Sequence, residues 1–113
     1  MNAYIFSWNN VYSPEYVSYL LNDTQAIETW VSPISGTAIL VSKLSVIDLS
    51  SVLHGRLGEA WFVLVEATPY NSSGWLPANF WTYINNPQSM VQRNYLEELL
   101  ASPPKNELPP RGF

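Results

Sequence analysis

Cysteine is missing altogether from this chain of 113 residues. Its absence excludes disulfides, thiolate zinc sites and thiol nucleophiles, and it fits a cytoplasmic protein. Charge is scarce as well. Only 12% of the residues are charged, about half the usual ~25%. Nine acids outweigh five bases, for a net charge of −4, and Lys43 and Arg56 are the only cations in residues 1–87. Binding a phosphate backbone takes clustered Lys and Arg, so the composition argues against a nucleic-acid partner. No apolar run approaches the roughly 20 residues that cross a bilayer, so no membrane partner is expected. The opening Met1-Asn2-Ala3-Tyr4 lacks the basic residues of a secretory leader.

Chemical motifs are absent too. The serines fall in no nucleophile motif, and the glycines form neither a phosphate loop nor a dinucleotide fingerprint. The one histidine, His54, sits near Arg56 late in an expected helix, where a cation suits the negative end of the helix dipole. The acids are scattered, so no metal and no cofactor is expected. Glu59 and Glu66 bracket one expected strand and are set on opposite faces by their spacing, so they are not a paired acid and base.

What the chain has is apolar and aromatic. The apolar share is 47%, with 5 Trp, 7 Tyr and 4 Phe. A single domain of this length buries roughly 65% of its unfolded surface, enough for a real core. Ala3 to Trp8 reads as a buried strand, ended by Asn9-Asn10. Ser13 then caps a helix with Pro14 at its first position, and Tyr16, Val17, Leu20 and Leu21 form its apolar stripe. Ala26–Val31 and Thr37–Ser42 read as a hairpin, with Ser32-Pro33 ending regular pairing and Ser35-Gly36 in the turn. Ser45 opens a second helix, Asp48 completes a variant capping box, and Gly58 ends it. The unbroken apolar run Trp61–Val65 reads as an interior strand.

The order strand, helix, strand, strand, helix, strand predicts an α+β fold, a ferredoxin-like βαββαβ sandwich with one antiparallel sheet and two helices on one face. The ferredoxin-like domain with its aromatic C-terminal segment spans 1–87. An amphipathic helix follows over 88–101, its apolar side formed by Met90, Val91, Tyr95, Leu96, Leu99 and Leu100. The proline-rich stretch 102–113 reads as an extended tail. Trp8, Trp75, Phe80, Trp81 and Tyr83 make a candidate interaction surface, although aromatics in such a cluster also serve as core or as a lid over an open sheet face.

Tyr4-Ile5-Phe6-Ser7-Trp8-Asn9 resembles the first strand of the small SinR-like proteins, relatives of the CRISPR adaptation small subunit and of VapD-type ribonucleases. Ser35–Lys43, Ser45-Val46-Ile47 and Ala60–Glu66 are similar to that family's third strand, second helix and fourth strand, so the resemblance spans residues 3–82. It implies the ferredoxin-like fold and a homodimer. In the nuclease members an aspartate at the end of the first strand is associated with a divalent metal across the dimer interface. The matching position here is Asn9, which lacks the anionic oxygen that Mg²⁺ prefers. The first expectation is therefore a non-enzymatic protein-interaction module, acting as a homodimer or in a small complex. The alternatives are a degenerate or atypical metal-dependent nuclease of the SinR/VapD-like type, and a small-ligand sensor with a pocket between the sheet and residues 75–84.

Overall fold

Period-two burial along the first strand decides how the molecule is layered. In β1 (Asn2–Trp8), Tyr4 and Phe6 are buried toward one face and Ala3 and Ile5 pack toward the other. The same alternation of faces runs through β3 (Thr37–Ser42) and the first part of β4 (Phe62–Ala67), while in β2 (Ile27–Ile34) a register shift between Ile27 and Thr29 lets Ile27 and Trp30 share the first face. The computed structural model describes residues 1–9 and 11–101, and the extended tail expected over 102–113 lies outside the described residues. It is an α+β chain with a four-stranded antiparallel sheet, strand order β2-β3-β1-β4.

Among the described residues four helices cover the sheet. Helices α1 (Pro14–Asp23) and α2 (Val46–Leu57) lie on the first face. Ser13 accepts a hydrogen bond from the Tyr16 N–H with Pro14 at the first turn, and Ser45 accepts from the Asp48 N–H. These caps satisfy N–H groups that a helix start leaves orphaned. Gly58, at φ 64°, closes α2 in a left-handed conformation that other residues resist. Val17, Leu20 and Leu21 of α1 and Leu49, Leu53 and Leu57 of α2 bury against Tyr4, Phe6, Trp30, Ala38 and Leu40. Arg56 on α2 donates to Asp23 at the end of α1, 2.7 Å away. At that exposure the pair is worth less than about 1 kcal/mol, so packing, not charge, holds the layer.

The second face is covered by α3 (Ala78–Asn85) and α4 (Pro87–Ala101). Tyr83, Ile84 and Met90 bury against Ala3, Val31, Ile39 and Val41, with Ile5, Phe80, Trp81 and Val91 partly buried around them. Asn94 of α4 donates to the hydroxyl of Thr29, which is wholly buried on β2. The sequence expectation for α4 is corrected beyond this point. Met90 and Val91 are covered, but Tyr95, Leu96, Leu99 and Leu100 are exposed. At about 100° per residue Leu99 lies on the opposite side of α4 from Met90 and Leu96 well round from Val91, so the expected apolar residues do not share one face and cannot all be covered by the sheet.

The interior-strand expectation for Trp61–Val65 is corrected too. β4 is an edge strand, paired only with β1. An apolar run normally signals burial on both faces. Here Phe62 and Leu64 pack on the first core, while Val63 and Val65 remain exposed on the second face.

Candidate functional site

The cover supplied by α3 and α4 packs on β1, β2 and β3 and reaches β4 at its last residue, Ala67, but not at Val63 or Val65. Trp61, Val63 and Val65 are therefore left uncovered, with 78%, 61% and 52% of their surfaces exposed. Single exposed hydrophobes need no explanation, but a run of them on one strand face is a candidate interaction surface. Trp75 and Tyr70, in the loop between β4 and α3, are fully exposed as well.

The edge of β4 adds polar capacity to this strip. Antiparallel residues alternate between pairs that exchange backbone hydrogen bonds and pairs that do not. Asn9 donates to the Trp61 carbonyl at 3.1 Å, and in the β1–β4 register Val63 lies opposite Ser7 and Val65 opposite Ile5. The odd residues of β4 thus face β1, and the N–H and C=O groups of Phe62, Leu64 and Glu66 point away from the sheet. The Glu66 carbonyl is taken by the Asn71 side chain at 3.3 Å. Phe62 and Leu64 keep outward backbone groups with no partner among the described residues.

The opposite edge is built differently. β2 carries Pro33, and its pairing with β3 shifts register between Ile27 and Thr29 and again between Val31 and Ile34. Proline and bulges are common ways of blocking an edge strand. β4 has neither of them, nor a lysine.

The aromatic residues singled out from sequence do not form one surface. Tyr83 is buried, and Phe80 and Trp81 are partly buried in the second core. Trp75 stands in solvent beside that layer. Trp8 lies across the sheet, stacked on Phe6 with ring centroids 5.1 Å apart. Sequence reasoning missed Trp61, Val63 and Val65 as surface residues, and the signal that would have found them is an apolar run on a strand with a neighbour on one side only.

A cavity of about 250 Å³ lies beside Trp8, lined also by Val17, Trp30, Ser32 and Gly36. It is on the first face, away from residues 75–84, and smaller than the ~300–1,000 Å³ of most ligand sites. Asn9 is close by in sequence, and its Oδ1 is buried with no hydrogen-bond partner. This orphaned oxygen is a neutral amide, and no group of three or more His, Cys, Asp or Glu that could hold a metal occurs among the described residues. The described residues of a single chain thus do not fit the divalent ion that the resemblance implies. His54 is exposed in the last turn of α2.

Burial pushes the Tyr4 phenol above the ordinary 10.0, Asn2 opposes the shift by donating to its oxygen, and the charge of Glu66 adds to it. The Tyr4 hydroxyl donates to the Leu44 carbonyl at 2.5 Å, pinning the start of α2 to the sheet. No helix among the described residues is long and apolar enough to cross a membrane. No protein family, curated protein or solved structure matches the chain.

Proposed function

We propose that this chain is a non-enzymatic protein-interaction module, working as a homodimer or in a small complex on a ferredoxin-like frame. The observation that carries this reading is the uncovered strip Trp61-Val63-Val65 on an unblocked edge strand. Burying a side chain of this kind is worth roughly 1.5–3 kcal/mol, so a partner that covers the strip gains several kcal/mol before association costs. The sparse charge supports the same reading, because interface cores are depleted of charged residues and enriched in aromatics. The split β-α-β order and the antiparallel arrangement support the ferredoxin-like assignment.

The test is a mass measurement by light scattering across the micromolar range, with and without Trp61→Ser. The reading expects a mass above that of one chain, reduced by the substitution. If the wild-type chain stays at the mass of one chain and retains no protein partner, the reading is wrong. A parallel incubation with RNA and DNA under Mg²⁺ and Mn²⁺ is expected to leave both intact. Cleavage lost in Asn9→Ala would favour the nuclease alternative instead.

A further inference from the structure

The unpaired groups of β4 specify more than a sticky surface. We infer that β4 pairs antiparallel with β4 of a second copy, about a two-fold axis through Val63, joining the sheets of two chains into one. The inference rests on the reading of the Trp61-Val63-Val65 strip as an interaction surface and goes on to name its occupant.

The free hydrogen-bonding groups select the register. Only residues with outward backbone groups can exchange bonds with a partner strand, and on β4 those are Phe62, Leu64 and Glu66. Asn71 already occupies the Glu66 carbonyl. Pairing Phe62 with Leu64 of the second copy, and the reverse, satisfies every remaining free group on Phe62 and Leu64. It uses no carbonyl that is already taken.

This register is also self-complementary in its side chains. Residues opposite each other across an antiparallel pair share a face. Val63 then meets its own copy on the axis, and Trp61 meets Val65 of the second copy on either side. Pairs of an aromatic with a β-branched residue are among the favourable cross-strand combinations. Leu64 and Phe62 meet in the same way on the first face. The acids Glu59 and Glu66 fall at the ends of the joint, so its middle carries no charge. A partner of different sequence would have to reproduce this pattern, whereas a second copy does so by symmetry.

The area sets the strength. An aromatic side chain contributes roughly 150–250 Å², so Trp61, the two valines and the strand edge offer on the order of 400–500 Å² per chain. That lies below the ~800 Å² per partner of a standard stable interface and in the range of weak, reversible association. The dimer therefore forms and dissociates across the micromolar range.

The absence of cysteine makes a direct test available. Val63 would sit opposite itself in a non-hydrogen-bonded pair, where Cα atoms are about 4.5 Å apart, within the roughly 4.4–6.8 Å that a disulfide spans. Val65→Cys, two residues off the axis, would hold its two sulfurs about 14 Å apart. Under mild oxidation the full chain carrying Val63→Cys is expected to become a covalent dimer, and the one carrying Val65→Cys is not. Val63→Lys, at an exposed position, is expected to keep the melting temperature of the parent while light scattering falls to the mass of one chain. A wild-type dimer in which Val63→Cys fails to link, or in which Val65→Cys links equally well, overturns the β4 joint and leaves the interaction-module reading standing. A wild-type chain that remains monomeric throughout overturns the second copy as occupant. If that monomer binds another protein through Trp61, the interaction reading survives, and if it binds none, that reading falls as well.

Discussion

The two faces of the sheet are finished to different degrees. On the first, α1 and α2 cover the sheet, and Tyr4, Phe6, Leu40, Leu49 and Leu53 retain no exposed surface. On the second, α3 and α4 cover β2, β3 and β1 and leave Val63 and Val65 of β4 in water. The difference separates the residues that hold the fold from those that the fold leaves uncovered. The closed face is where burial outweighs chain entropy, and the open margin is where burial is still to be gained. Because one strand, β4, serves both faces, Phe62 and Leu64 hold the fold while Val63 and Val65 stay in water.

Substitutions can break this contrast. The largest effect belongs to the closed face. Leu53→Ala empties a wholly buried position and is expected to cost about 2–5 kcal/mol, read from denaturant unfolding. Met90→Ala tests the second face, where α4 is covered through its first turns only. A loss near the low end of that range, about 2 kcal/mol, is expected. A larger loss than that of Leu53→Ala would mean the second face is the main core.

Tyr4→Phe comes next. It removes the hydrogen bond to Leu44 and is expected to cost about 1 kcal/mol at neutral pH. Its pH signature is more specific. Burial raises the Tyr4 pKa above 10.0, so the folded chain holds that proton more tightly than the unfolded one. The associated stability is full below pH 10 and is lost as pH climbs through the raised value. Thermal melts should show an alkaline fall in the parent that is shallower in Tyr4→Phe. The smallest effect is expected at Leu99→Ala, on the exposed end of α4, where stability should change by no more than about 0.5 kcal/mol. A loss above about 1 kcal/mol would show that this end of α4 is covered in solution, and the open margin would have to be redrawn.

Much of the closed face was legible in the sequence, because local rules acted alone there. The alternation of Tyr4 and Phe6, the Ser13-Pro14 and Ser45 caps and the Gly58 stop each have one physical reading, and the elements begin and end within a residue or two of it. The second face depends on distant pairing. α3 follows Pro77 without a side-chain cap, and no periodicity says that it folds back over β1 and β3. Trp61, Val63 and Val65 look identical in sequence whether a helix or water lies above them. Their exposure is set by how far α3 and α4 reach across the sheet, which is a property of the assembled fold. The candidate site was hard to read because its exposure depends on the assembled fold and not on local sequence.

The most direct measurement is amide hydrogen exchange at Phe62 and Leu64 as a function of protein concentration. In one chain these outward N–H groups have no acceptor among the described residues and should exchange fast, while those of Val63 and Val65, facing β1, are protected. The account predicts that protection of Phe62 and Leu64 rises through the micromolar range as the mass doubles, with Val63 and Val65 little changed. Exchange at Phe62 and Leu64 that stays fast at every concentration would contradict it.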